Sequence, residues 1–443
     1  MPKQKNSLPI RAIGYLYRYG VWNTIKKAMS QNWRPCGMGL LFFLWNGIGI
    51  VGRRSFPPTL KSGRVRRLVA AASSARIVLT HNWGGGAEAY LGNLLPLRGE
   101  NKCVFVVRPA LTGGVLLVRS HGARGEIVDF AIRSLDAFRG LSNKSCEIVL
   151  NELTRWNCYE KDGLVKVSGM ARLAARIVST KRKLNATMRF LVHDYFSVCP
   201  NFSLVTRDSR YCANEAKCQN CASCLRDNPH VAFPVEESFD IRRWREVFAG
   251  LLMESDEVTT FSEDSARRIR SCFPRIHPKI VPHKPIAVFK RKPRIRFDRM
   301  VIGVVGKITK IKGAAQVLDL AKYIQDNGLP AEVKILGTIG GCRNEVEVLG
   351  RYRSDELPDI IEKSGVNVIF FSSICPETFS YVTQEVMDLG LPIACFDLGA
   401  PRDRIAGYRL GAVIPEIRVE SVWNTLSALH AFAAQNSHFQ DNS

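Results

Sequence analysis

From about Arg76 onward the chain alternates short apolar runs with amphipathic stretches. RIVLTH (76–81), CVFVV (103–107), EIVLN (147–151), RFLVH (189–193) and DEVTTF (256–261) are rich in Val, Ile and Phe, too short for helices, and predict buried strands. Helical patterns fall between them, for example over Gly163–Lys183 and Phe239–Glu254. A second series follows: MVIGVVG (300–306), AEVKILG (331–337), VNVIFF (366–371), PIACF (392–396) and GAVIP (411–415), with helices expected over Ala314–Asn327, Asp355–Lys363 and Glu377–Leu389. Strand and helix in alternation predict parallel sheets covered by helices. The Pro- and Lys/Arg-rich stretch 284–299 between the two series reads as a linker. The expected architecture is therefore α/β, with two Rossmann-like domains (76–283 and 300–434), a tail (435–443), and a cleft between the carboxyl ends of the two sheets.

Composition changes this picture at one end. Apolar residues make up 46% of the chain, which excludes a disordered protein. The net charge is +23, and residues 1–70 hold thirteen Lys or Arg with no acid before Glu88. Such a segment attracts nucleic acid or anionic lipid. Segment 1–75 also contains GMGLLFFLWNGIGIVG (37–52), an apolar run interrupted by Asn46 and shorter than the roughly 20 residues of a membrane span. Its aromatic and basic neighbours suit an interfacial anchor on a membrane surface; a helix buried on the main body is the alternative. The run begins too late for an ordinary signal peptide, and thirteen cysteines without one point to a reducing, cytoplasmic compartment.

Three stretches carry candidate chemistry. In VIGVVGKITKIKG, Gly303 and Gly306 allow close backbone approach, and Lys307 and Lys312 add positive charge near a helix start. A plain strand–helix turn with solvated lysines fits the same string. In CPETFSYVTQEVMDLGLP, Glu377 and Glu385 stand eight residues apart, a little over two helical turns, so one helix would carry both near one face. Finally, Cys212, Cys218, Cys221 and Cys224 have C-x5-C-x2-C-x2-C spacing. Four thiolates could hold a structural zinc ion, the last three suit an iron–sulfur cluster, and unliganded thiols remain open. A zinc module gripping nucleic acid fits less well: Tyr211–Asn228 holds only Lys217 and Arg226 as basic residues.

The segment from VIGVVG to GAPRDRI resembles the donor-binding half of GT-B glycosyltransferases of family 4. It carries a Glu-x7-Glu pattern, GKITKIKG and GLPIACFDLGA in the family's order. THNWGGGAEAYL (80–91) is similar to the family's glycine-rich loop, and FLVHDYFSVCP (190–200) to the His-Asp-Tyr motif of a subgroup associated with bacterial rhamnan and O-antigen polysaccharides. ESDEVTTFSEDSARRI and KIVPHKP resemble the run that leads up to the family's interdomain linker. The resemblance spans about residues 76–417. It implies a nucleotide-sugar co-substrate, retention of anomeric configuration, a saccharide or lipid-linked saccharide acceptor and no nucleic acid. It also assigns roles. Lys307 and Lys312 would bind the diphosphate, with Gly306 beside it, and Glu385 the ribose. Glu377, with the amides of Thr378 and Phe379, would meet donor sugar and phosphate, and Gly84, Gly85 and Gly86 would let the opposite domain approach. His193 would stand at the reaction centre, oriented by Asp194. The Cys-rich insert 199–228 would flank the acceptor side. A catalytically silent scaffold of the same fold is the remaining alternative.

Overall fold

A computed structural model describes residues 73–436 apart from 82–84, 97–99, 111–114, 123–124, 155, 157–163, 214–220, 285–288 and 341–344. The basic segment 1–72, Gly84, Cys218 and most of the tail therefore lie outside the described residues.

The first domain is an eight-stranded sheet. Its strands are β1 (Ser74–Leu79), β2 (Lys102–Pro109), β3 (Leu116–His121), β4 (Ile127–Ile132), β5 (Ser145–Leu150), β6 (Thr187–Leu191), β7 (Glu257–Thr260) and β8 (Lys279–Ile280). Their spatial order is β4-β3-β2-β1-β5-β6-β7-β8. All neighbours pair in parallel except β2–β3 and β3–β4. The five expected strands are present, their ends differing by one or two residues. The antiparallel flank β3–β4 was not expected. Along LLVRSH buried and more exposed positions alternate, because a sheet flank can leave one face to water. Arg119 meets Asp129 there at 2.7 Å across paired strands. Helices α1 (Gly86–Leu91), α2 (Val167–Leu184), α3 (Cys221–Asp227), α4 (Ile241–Met253) and α5 (Glu263–Cys272) complete the domain. Asp240 and Ser262 cap α4 and α5 by accepting hydrogen bonds from Arg242 N and Ser265 N. Phe105, Phe138, Trp244 and Phe248 are fully buried in its main core.

The second domain has six strands, all parallel: β9 (Met300–Ile308), β10 (Ala331–Ile339), β11 (Glu347–Val348), β12 (Val368–Phe371), β13 (Ile393–Phe396) and β14 (Gly411–Ile414). The order β11-β10-β9-β12-β13-β14 is the doubly wound dinucleotide-binding order, with its switch point between β9 and β12. Apolar side chains on both faces of the sheet form separate buried clusters, as a sheet covered on both faces requires. Helices α6 (Ala314–Asp326), α7 (Leu357–Ser364), α8 (Tyr381–Asp388), α9 (Gly399–Ile405) and α10 (Val419–Gln435) surround it. The expected helix over Glu377–Leu389 is corrected here: it starts only at Tyr381. Ser380 is extended and its side chain accepts from Thr383 N at 3.1 Å, so the cap falls three residues after Glu377.

The domains touch at several points. Asp264 N donates to Asp403 Oδ2 at 3.0 Å, joining the start of α5 to α9. Val205, from the insert after β6, is buried with the apolar side chains of the second domain. Among the described residues, no helix is long and apolar enough to cross a membrane.

Candidate active site

The strand ends of the two sheets meet around His193. On the first domain, Asn151 follows β5 and His193 follows β6, its neighbour. Asn151 Nδ2 donates to Thr80 Oγ1 at 3.0 Å and to the carbonyl of Ala87 at 3.1 Å. A main-chain carbonyl only accepts, so this contact fixes which end of the amide is nitrogen. Asn151 Oδ1 then faces His193 Nε2 at 3.0 Å and accepts its proton. The imidazole is thereby held as the Nε2–H tautomer, with its lone pair on Nδ1. Its ring stacks on Phe261 at 4.5 Å and meets the edge of Tyr90 at 5.0 Å. Burial, and then the neighbouring His283 and His81, hold its pKa well below the usual histidine value, so it is neutral near neutral pH.

Asp194 is placed next to His193 but its oxygens are engaged elsewhere. Oδ1 accepts from Phe196 N at 2.9 Å and Oδ2 from Thr154 Oγ1 at 2.8 Å. The partner that orients the histidine ring is Asn151, a residue sequence reasoning passed over although it ends the run EIVLN.

Across the cleft, Lys312 and Glu377 come together. Lys312 Nζ lies 3.3 Å from Glu377 Oε1, the lysine half-exposed and the glutamate nearly buried. The carboxylate raises the lysine pKa against the opposing effect of burial, so the ammonium is retained. Two glycines make this approach possible. Gly313 has φ +78°, and a Cβ there would collide with the carbonyl oxygen of Ser372. The turn Lys310–Lys312 is thus pressed against the segment after β12, where Ser372 Oγ donates to Lys312 O at 2.7 Å and Ile374 N to Ile311 O at 3.1 Å. Gly399, with φ +72°, lets the start of α9 close behind Glu377; a Cβ there would lie 2.7 Å from Glu377 N. Ala400 N donates to Glu377 O at 2.8 Å. The side chain of Glu377 is therefore aimed by backbone packing at the switch point, without a helix beneath it.

The other expected residues fall into two groups. Thr378 and Phe379 join the site directly. Thr378 Oγ1 donates to the carbonyl of His193 at 2.7 Å, linking the two domains at the centre. Phe379 lies between His283, at 4.3 Å, and the Arg404 guanidinium, at 4.5 Å from its ring centre. Gly85 and Gly86 begin α1, and a Cβ on Gly86 would stand 3.7 Å from Tyr381 Cε2 of the other domain. Glu385 is buried within α8, and burial raises its pKa. Gly306 and Lys307 lie in the last part of β9, with the lysine exposed. Glu377 and Glu385 are thus not on one helix, as the spacing suggested.

Sequence reasoning also missed His283, in the run KIVPHKP. It is buried, both ring nitrogens lack hydrogen-bond partners among the described residues, and Tyr90, Phe261, Phe379 and Tyr381 surround it. Burial and the charge of Arg404 push its pKa down to about 3.

The zinc expectation is not supported. Among the described residues no group of three or more His, Cys, Asp or Glu is placed to hold a metal ion. Cys212 and Cys221 pack partly buried against the first domain's core with Cys199, and Cys224 Sγ accepts from Asn228 Nδ2 at 3.4 Å. Burial, with Cys221 and Cys212 nearby, raises the Cys199 thiol pKa. Cys218 lies outside the described residues.

No family model matches the chain, and no curated protein matches it in sequence. Solved structures do resemble it. The HepE protein of Anabaena, determined in complex with UDP, is 12% identical with a TM-score of 0.48, over 82% of this chain and 95% of that one. The catalytic domain of starch synthase IV from Arabidopsis thaliana, bound to ADP and acarbose, is 11% identical with a TM-score of 0.46, over 82% and 92%. Sucrose-phosphate synthase from Thermosynechococcus elongatus is 10% identical with a TM-score of 0.44, over 82% and 91%.

Proposed function

We propose that the protein is a nucleotide-sugar-dependent glycosyltransferase of the GT-B type. The observation that carries this reading is the Lys312–Glu377 pair at the switch point, facing the neutral His193 from across the cleft, with Thr378 tying the two sides together. A switch point is where doubly wound sheets bind nucleotides. A half-exposed ammonium there can take a diphosphate and stabilise the charge that develops on it as the sugar leaves. Glu377 can accept hydrogen bonds from sugar hydroxyls once the lysine turns to phosphate. Glu385, buried in α8, would accept hydrogen bonds from a ribose diol.

His193 is uncharged, with Nδ1 as acceptor, which suits a hydroxyl of the sugar or acceptor better than a phosphate. No enzymic nucleophile is assigned, and transfer proceeds with retention. The acceptor is a saccharide or lipid-linked saccharide of a bacterial surface polysaccharide of rhamnan or O-antigen type. The basic segment 1–75 brings the protein to anionic lipid at the inner face of the cytoplasmic membrane.

The test is a panel of nucleotide sugars assayed with membrane extract for transfer or donor hydrolysis, alongside thermal unfolding with nucleoside diphosphates. At least one diphosphate is expected to raise the unfolding temperature, and one donor to be consumed. Unfolding that is indifferent to every diphosphate would sink the reading.

A further inference from the structure

Strands β5 and β6 run side by side, with Leu150 opposite Phe190. Beyond their ends, Asn151 meets His193, as described, and one residue further on Glu152 meets Asp194. This second pair lies beneath the first, in a small void walled by Phe190, Phe196 and Phe248. Glu152 is only 6% exposed. Burial, and with it the charge of Asp194, raises the Glu152 pKa. Thr154 Oγ1 contacts both, Asp194 Oδ2 at 2.8 Å and Glu152 Oε1 more closely. Thr154 N donates to Glu152 Oε1 at 3.0 Å, and Phe196 N to Asp194 Oδ1 at 2.9 Å.

Counting protons decides the state of this cluster. The threonine hydroxyl has one proton for its two contacts, and two ionised carboxylates have none to place between them. Among the described residues, the remaining side chains that line the void, including Leu150, Leu153, Leu191 and Ser197, carry no charge. His193 stands above it and is neutral. From α4, Arg245 directs Nε to the carbonyl of Val198 at 2.9 Å. Burial and the like charge of Asp194 disfavour a doubly ionised pair here, so the pair takes up one positive charge.

We propose that Glu152 is a positioning residue that keeps a proton at neutral pH and shares it with Asp194, clamping the loop after β5 to the loop after β6. The clamp holds Asn151 and His193 in register, and so sets the imidazole that faces the cleft. Its role in sugar transfer rests on the function proposed above; the shared proton does not. The rival for the positive charge is a cation held by both carboxylates and by Ser197 Oγ, which is buried in the same wall without a partner among the described residues.

The full chain, Glu152→Gln, Glu152→Ala and Thr154→Val test this. Wild type should show the infrared carbonyl band of a protonated carboxyl at neutral pH, and Glu152→Gln should lose it. Because the folded chain keeps a proton that unfolded Glu152 releases, wild-type stability should fall as pH rises from about 4.3 towards the folded pKa. Glu152→Gln, whose amide supplies the missing donor, should flatten that slope. Glu152→Ala and Thr154→Val should lower kcat about tenfold or more with little change in donor KM, and Glu152→Gln should recover much of the loss. An unchanged band together with parallel pH slopes in wild type and Glu152→Gln would overturn the proposal. So would unfolding temperatures that rise with added sodium, magnesium or calcium in wild type but not in Glu152→Gln. If the alanine variant does not fold, band and slope still decide. If no sugar is transferred by any variant, the function fails while the proton is judged separately.

Discussion

On one wall of the cleft, Lys312 and Glu377 keep opposite charges side by side and Lys307 stands exposed. On the other, His193 and His283 are held neutral among aromatic rings, above a carboxyl pair whose other described wall residues are uncharged. The second domain is built to receive charge and the first to exclude it. The difference follows from what each must hold: a charged wall takes an ionic ligand part, and a dry wall fixes hydrogen bonds that water would otherwise compete for.

The comparison can be broken most severely at Lys312. Lys312→Ala should reduce kcat/KM for the donor by about 10²–10³ with little effect on the unfolding temperature, since the ammonium is half in solvent. Wild-type turnover in this variant would remove the charged wall from the mechanism. The backbone behind it comes next. Gly313→Ala should lower stability by about 2 kcal/mol or more, because φ is +78° and the new methyl would collide with the Ser372 carbonyl. Equilibrium denaturation checks this, and a neutral result would mean that the turn does not press on the Ser372 carbonyl.

The smallest effect is expected on the dry wall. His283 has a folded pKa of about 3, depressed below the roughly 6.5 of an unfolded chain. A depressed pKa contributes stability that is present above the unfolded value and lost as pH falls towards the folded one. Wild type should therefore weaken progressively below about pH 6.5. His283→Phe, which keeps a ring and cannot be protonated, should reduce that acid loss by about 1.4 kcal/mol at about pH 5.5. Thermal unfolding scans at stepped pH measure it, and identical acid limbs would show that the box does not hold the ring neutral.

The same contrast explains how much of the molecule was legible in its sequence. Lys312, Glu377 and the glycines around them stand in short strings that draw notice, although a plain strand–helix turn fits the lysine string equally well. The all-parallel sheet was legible too, because strands buried on both faces are continuous apolar runs such as MVIGVV and VIFF. The strands β3 and β4 escaped because half their positions face outward. The dry wall escaped for a different reason. Asn151, Glu152, Thr154 and His283 are ordinary residues at strand ends, and their importance comes from being brought against His193 and Asp194 by strand pairing between segments some forty or more residues apart. The eight-residue spacing of Glu377 and Glu385 misled in the opposite direction, since Ser380 starts the helix after the first of them.

The carbonyl of Ala87 has a reach beyond its own helix. By accepting from Asn151 it fixes the amide, and the amide fixes the proton on His193. Side-chain changes at position 87 leave that carbonyl in place, so the histidine's tautomer is protected from point substitution there. Displacement of the helix that follows the glycine loop is another matter: it would free the amide to turn over and present its nitrogen to the ring. Which imidazole nitrogen carries the proton is then a readout of where that loop sits.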